Sequence, residues 1–322
     1  MGHNLANSSV ADVGEHELIA RISAVLPMTS AVEIGPGDDA AIVANDGPIV
    51  ICTDVLVQGR HFRLDWSSAS DIGTRAAAAN LADIAAMGGV PTALVVALVV
   101  PGATSVEWVL ELAQGLADEA SKAGAAIVGG DISAGDALVV SVTAVGNTQG
   151  RAAVARSGAR PGDVVAVSGR LGWAAGGLAV LSRGFRSPRV LADAHRRPAP
   201  LYSSGPLAAI AGATSMIDVS DGLVADVGHI ASASNVMIDI DTSTIEVDEP
   251  LLAAAAAIGT NPIDWVLTGG DDHALVATFP PDTELPQGFS AIGVVNARDE
   301  SAPVVQVDGK PWHGSAGFEH FS

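Results

Sequence analysis

The chain has 322 residues, 48% of them apolar, and carries 36 acidic against 16 basic side chains, a formal charge of −20. That length accommodates two domains, and the acidity argues against binding nucleic acid or anionic membranes, which require a basic face. The single cysteine, Cys52, excludes an intrachain disulfide and makes a reducing, cytoplasmic location the expectation.

Residues 1–14 are polar and lack a basic segment followed by an apolar run, so they read as a disordered N-terminus without a signal peptide. From 15 to 150, strand and helix signals alternate. Residues 40–43 and 49–53 are short β-prone runs separated by the turn Asn45-Asp46-Gly47-Pro48. Ser70 is a candidate cap for a helix reaching about Met87, where Gly88-Gly89-Val90-Pro91 stops it. Residues 93–100 read as a buried strand and are too few to cross a bilayer. Thr104-Ser105-Val106-Glu107 fits a capping box for a second helix ending near Ala123-Gly124. Residues 125–128 and 137–145 complete the strands of this N-terminal domain, 15–150.

The stretch 149–160 is more polar and basic than its surroundings and marks the domain boundary. The C-terminal domain, 151–322, begins with a strand at 164–167 and an Ala/Gly-rich helix from Leu171. A basic, proline-bearing loop at 183–200 follows, then a strand ending at Ile217 and a helix after Gly222. Further strands are predicted near 236–240, 274–279 and 304–307. Alternation of this kind indicates α/β domains.

The chemistry concentrates in paired aspartates beside glycine: Gly37-Asp38-Asp39-Ala40, Asp218-Val219-Ser220-Asp221-Gly222 and Gly269-Gly270-Asp271-Asp272. Asp54 and Asp131 directly follow apolar runs. Carboxylates about 4 Å apart repel by roughly 4 kcal/mol at an effective dielectric near 20, so a fold that gathers several needs a cation or must hold them apart. Oxygen ligands without paired cysteines or histidines suit Mg²⁺, which binds alongside phosphates. Neither a Gly-x-x-x-x-Gly-Lys-Ser/Thr loop nor a protein-kinase signature is present. A nucleotide-using reading therefore rests on metal ions and on glycine turns such as Gly129-Gly130-Asp131.

Thr53 and Ser220 offer further oxygen atoms. Asn80 and Asp83 share a helix face, and Asp83, set among alanine, leucine and isoleucine, needs a compensating partner. Plainer readings stand beside these: Asp221 or Ser220 as a helix cap, and surface acidity that serves solubility alone. His61 beside Phe62 is placed to face a ligand, whereas His195, His229 and His320 read as surface or core residues. No Ser-His-Asp or Cys-His arrangement is readable, so covalent catalysis has no support.

Together these motifs resemble the thiamine-monophosphate kinases, within the ATP-binding superfamily that includes aminoimidazole ribonucleotide synthetase. The matching stretches run in family order from about residue 14 to the end. They are Gly37-Asp38-Asp39-Ala40-Ala41, Thr53-Asp54 through Gly59-Arg60-His61-Phe62, and Asn80-Leu81-Ala82-Asp83-Ile84-Ala85-Ala86-Met87-Gly88. Gly129-Gly130-Asp131, Asp218-Val219-Ser220-Asp221-Gly222-Leu223, Gly269-Gly270-Asp271-Asp272 and Gly317-Phe318-Glu319-His320-Phe321 continue the set.

The resemblance implies an N-terminal mixed sheet with helices that pairs with a second subunit in a homodimer, a C-terminal α/β sandwich, and ATP between the two domains. The implied reaction transfers the ATP γ-phosphoryl group directly to thiamine monophosphate. Several Mg²⁺ ions would be held by Asp39, Thr53, Asp54, Asp83, Asp131, Asp218 and Asp221. Gly130, Asp131, Arg156 and Ser220 would match nucleotide contacts, and His61, Asp271 and Phe318 contacts to thiamine phosphate.

The chain departs from the family pattern in several places. Gln58-Gly59-Arg60-His61 stands where Glu-Gly-Val-His is usual, and Gly-Gly-Asp271-Asp272-His273 where Gly-Gly-Glu-Asp-Tyr is. Phe318 replaces a tryptophan, and a nucleotide-contacting tyrosine is replaced near Ala113. Two other readings stay open: a sister enzyme of the aminoimidazole ribonucleotide synthetase type, and a non-catalytic acidic protein that holds divalent cations.

Overall fold

The computed structural model describes residues 8–36, 40–45, 47–314 and 317. The chain divides into two compact units, Met1–Ile84 with Val90–Gly150, and Ala85–Gly89 with Arg151–Ser322.

In the first unit a helical turn, Val10–Val13, stands where no order is predicted. Ser9 donates its backbone N–H and its hydroxyl to Asp12 Oδ2, at 2.9 and 2.7 Å, closing that turn. Helix Glu15–Val25 follows, and the short strands Val32–Ile34 and Ile42–Val43 pair antiparallel. The main sheet has four strands in the order Ile49–Val57, Val139–Asn147, Val90–Val100, Ala126–Ala134. The first three are antiparallel to one another and the last pairs parallel to Val90–Val100.

Helix Ala69–Ala86 begins just ahead of the Ser70 cap that the sequence suggests. Ser68 and Asp71 do the capping: the Ser68 N–H donates to Asp71 Oδ2 at 2.9 Å, and the Asp71 N–H to Ser68 Oγ at 3.2 Å. Helix Val106–Lys122 is capped by Ser105 rather than Thr104, through the N–H of Trp108 at 3.2 Å. Its Val109, Leu112 and Leu116 face is buried, as helical periodicity requires.

The second unit is built on seven strands, in the order Lys310–Pro311, Val305–Val307, Val236–Ile240, Phe289–Ala297, Val164–Ser168, Leu275–Phe279, Ser215–Asp218. Every pairing is antiparallel except that of Val305–Val307 with Val236–Ile240. Strand alternation sends Val165, Val167, Ile217 and Val276 into one core with Leu223, Val227 and Ile230. Ala166, Met216, Leu275 and Ala277 enter a second core with Ala208, Phe279 and Phe289. Both faces of the sheet are thus covered, as in an α/β sandwich.

Two elements depart from the sequence reading. The predicted loop 183–200 contains helix Arg189–Arg196, because Leu191, Ala192 and Ala194 bury one face while Arg189 stays outside. Strand Phe289–Ala297 lies centrally in the sheet, although a bulge between Ala291 and Gly293 breaks its alternation. No single helix among the described residues is long and apolar enough to cross a membrane.

Candidate active site

In the first unit Asp54, Asn80 and Asp83 sit where strand Ile49–Val57 lies against helix Ala69–Ala86. Asn80 is buried and joins the two: its Oδ1 accepts the Asp54 N–H at 3.0 Å, and its Nδ2 donates to the Ala76 carbonyl at 2.9 Å. Cys52 Sγ donates to the Asn80 carbonyl at 3.3 Å. Burial pushes the Cys52 thiol up, and the charges of Asp83 and Asp54 add to this. Asp54 and Asp83 therefore flank the same thiol. That thiol is held protonated, which removes it as a nucleophile.

Thr53 Oγ1 donates to the Val142 carbonyl at 3.0 Å and accepts from Thr143 Oγ1 at 3.0 Å. The register carries Thr53 through Thr143 and Val95 to Gly129, and Val55 through Ser141 and Ala97 to Asp131. Thr53 and Asp131 thus share the open face of the sheet, whereas Asp54 belongs to the opposite, helix-covered face. The sheet does not bring Asp131 to Asp54 and Asp83. A Cβ on Gly130 would overlap the Val96 carbonyl oxygen, so glycine is required there by the neighbouring strand.

The turn after strand Ile49–Val57 presents His61. The Val57 N–H donates to His61 Nδ1 at 3.0 Å, and Gly59 N–H donates to the Phe62 carbonyl at 2.8 Å. Since Nδ1 accepts, the neutral ring carries its proton on Nε2. Ala113 is buried in helix Val106–Lys122.

In the second unit two turns meet. Asp271 N–H donates to the Ser220 carbonyl at 2.9 Å, His273 N–H to the Val219 carbonyl at 3.0 Å, and Val219 N–H to the Ala274 carbonyl at 2.7 Å. A Cβ on Gly270 would overlap the Ser220 carbonyl, so the approach of the two turns demands glycine. Asp218 ends strand Ser215–Asp218, is buried, and lies 3.0 Å from His273 Nδ1. Gly317, the one described residue of the terminal motif, lies against the Asp221 carbonyl. Asp39 and Phe318 fall outside the described residues. Arg156 is exposed in the loop leading to Gly158.

Two buried carboxylates carry no role in the sequence reading: Asp226, which it does not name, and Asp272, which it names only as part of the Gly269-Gly270-Asp271-Asp272 motif. Asp226 Oδ2 accepts the N–H groups of Ser220, Asp221 and Gly222 at 3.1, 3.1 and 3.0 Å. Burial pushes its acid up to about 7, against the lowering effect of the Gly222 hydrogen bond, with help from Asp218 and Asp221. Asp272 Oδ1 accepts the Ala174 N–H at 2.8 Å, while its Oδ2 is buried and makes no hydrogen bond among the described residues. Burial raises Asp272 to about 7 as well. Among the described residues, one group of at least three acidic, histidine or cysteine side chains has ligand atoms within 4.8 Å of one another: Asp221, Asp226 and His229.

Two family signatures match the chain: the N-terminal domain of AIR synthase related proteins over residues 37–148 and their C-terminal domain over 160–305. Fold and signatures define the class, a two-domain AIR synthase related protein. A thiamine-monophosphate kinase of Mycobacterium tuberculosis strain H37Rv is 47% identical, over 99% of this chain and 96% of that relative. The crystal structure of a thiamine-monophosphate kinase from Stenotrophomonas maltophilia K279a superposes with a TM-score of 0.80 at 32% identity, covering 93% of this chain and 98% of that one. A structure described as AaThiL complexed with AMPPCP and TMP gives 0.77 at 29% identity, over 96% and 97%. The chain belongs to the thiamine-monophosphate kinase family.

Proposed function

We propose that this chain transfers the γ-phosphoryl group of ATP to thiamine monophosphate, yielding thiamine diphosphate and ADP. The observation that carries this reading is 47% identity to a thiamine-monophosphate kinase over 99% of the chain. A phosphate oxygen of thiamine monophosphate attacks the γ-phosphorus as the bond to the β-phosphate oxygen breaks, so the acceptor is extended without an enzyme-bound intermediate. With ATP as co-substrate, the reading carries a cytoplasmic location.

The donor set fits Mg²⁺: carboxylates and hydroxyls only at Thr53, Asp54, Asp83, Asp131, Asp218 and Asp221, with Asp39 in the adjoining motif. Separate groups suit several ions rather than one. When bound, Mg²⁺ would neutralise charge on the β- and γ-phosphates. The chain's own residues do the positioning. Gly130, Asp131, Arg156 and Ser220 address the nucleotide, and His61 addresses the acceptor phosphate. Asp271 and Phe318 complete the acceptor contacts.

We further infer a homodimer. Ile49, Ile51 and Val55 alternate along one edge strand and are exposed at 61%, 66% and 47%, with Val95 on the same face. A second copy of this sheet is the occupant that would bury such a face.

The decisive experiment incubates the chain with ATP, Mg²⁺ and thiamine monophosphate and separates the products by chromatography. Equimolar ADP and thiamine diphosphate are expected. Divalent-cation binding without nucleotide turnover would sink the reading.

A further inference from the structure

We propose that helix Leu223–Ser234 is a positioning element that holds two substrate-facing loops at a fixed separation, through Asp226 near its start and Ser234 at its end. The inference rests on the kinase reading above, which places Ser220, Asp221 and Arg156 on nucleotide and metal.

At the first end, one carboxylate oxygen of Asp226 gathers three consecutive backbone donors, Ser220, Asp221 and Gly222, at 3.1, 3.1 and 3.0 Å. Three bonds from adjacent peptides to a single atom fix the curvature of the turn. The directions in which the Ser220 and Asp221 side chains leave it are thereby set.

At the other end, Ser234 Oγ accepts the N–H of Gly158 at 3.0 Å and of Ala159 at 3.1 Å, and lies 3.3 Å from the Arg156 carbonyl, to which it donates. A hydroxyl has one donor and two acceptor positions. All three are used on the loop that carries Arg156. The side chain therefore does nothing for its own helix and everything for that loop.

Between these anchors the helix is rigid. Leu223, Val224, Val227, Ile230 and Ala231 are buried in the core of the second unit. Ser234 lies eight positions after Asp226, about 12 Å along a helix rising 1.5 Å per residue. Neither residue needs to touch a substrate: both act through the backbone of residues that do.

Full-length wild type, Ser234→Ala, Ser234→Thr and Asp226→Asn are compared by steady-state kinetics, with far-UV circular dichroism and thermal unfolding in parallel. Losing a neutral hydrogen-bond set of this kind corresponds to roughly three- to tenfold in binding. Ser234→Ala is expected to raise the KM for ATP by that factor, leaving the KM for thiamine monophosphate within about twofold, and Ser234→Thr is expected to restore it. Asp226→Asn is expected to raise the Mg²⁺ concentration for half-maximal rate by about the same factor in a folded protein. The inference is overturned if both KM values and the Mg²⁺ requirement stay at wild-type values. It is equally overturned if the variants unfold, or lose activity only in proportion to their unfolded fraction, because the roles are then purely structural. An inactive wild type would overturn the kinase reading itself, whereas an active wild type with unmoved variants overturns this inference alone.

Discussion

His273 Nδ1 lies 3.0 Å from Asp218 Oδ2, and both side chains are buried. A carboxylate only accepts, so Nδ1 is the donor. The contact ties the Gly269-Gly270-Asp271-Asp272 turn to the end of strand Ser215–Asp218, and His273 holds it from a left-handed backbone at φ 51°. Replacing the ring with an apolar one strands a buried carboxylate. His273→Phe should therefore lower stability by about 1–3 kcal/mol in urea unfolding. An unchanged midpoint would mean that water serves Asp218 as well as the imidazole does.

Asp272 predicts a pH dependence of stability. Burial raises its folded-state acid from 3.8 to about 7. Between those values the native state holds a proton that the unfolded chain has released, so stability falls as pH rises through the window and levels off above it. The span corresponds to about 4 kcal/mol at most. Asp272→Asn keeps an oxygen for the Ala174 N–H and removes the charge. The variant should lose this slope and match or exceed wild-type stability at pH 8, as guanidinium unfolding at pH 5 and pH 8 would reveal.

Much of this was legible in the sequence, and the gaps have specific causes. The turn from Asp218 to Gly222 announces itself because an apolar run ends at an aspartate and a glycine opens the next helix. Asp226 does not, since an acidic residue in a first helical turn looks like ordinary dipole complementation and its three donors are backbone atoms. The Asn80–Asp54 bond spans 26 residues and joins a side chain to a peptide, which no periodicity records. The helix Arg189–Arg196 hides among arginines and prolines, its apolar face only a few residues wide. At the start of helix Ala69–Ala86, Ser68, Ser70 and Asp71 compete as caps on composition alone; the reciprocal bond between Ser68 and Asp71 decides it.

Turnover should require Mg²⁺. Asp54→Asn and Asp131→Asn each remove one negative charge from the donor set without disturbing a core side chain. Both variants should fold normally, since easing carboxylate repulsion does not harm the apo state, yet lose measurable turnover. Chelation of wild type should abolish activity and Mg²⁺ restore it. Wild-type rates in either variant at ordinary Mg²⁺ would refute the ligand assignment.

Ile51 sits mid-strand on the exposed face of the first unit's sheet, 66% accessible. A charge placed there should not disturb the monomer's own core but would oppose burial of that face against a copy. Ile51→Glu is expected to shift sedimentation at micromolar concentration from dimer toward monomer. A wild-type chain that sediments only as a monomer would contradict the dimer outright.

The acceptor preference follows from His61. The Val57 N–H donates to its Nδ1 at 3.0 Å, which puts the proton of the neutral ring on Nε2, and the Arg60 cation is one residue away. A site built to bind a phosphate rejects analogues lacking it, because its donors are then left unpaired. Phe318, outside the described residues, is proposed as the aromatic face for a cationic thiamine ring. Thiamine monophosphate should therefore be phosphorylated far better than free thiamine, and His61→Ala should narrow that difference mainly by weakening the phosphorylated acceptor. Phe318→Ala should raise the KM for thiamine monophosphate more than that for ATP. The Cys52 thiol is half-buried and held protonated, and no other activated nucleophile stands among the described candidates, so direct transfer is expected. Radiolabelled ATP supplied without acceptor should leave no phosphate on the protein. Accumulation of a phosphorylated enzyme, or a preference for free thiamine, would overturn this account of the acceptor site.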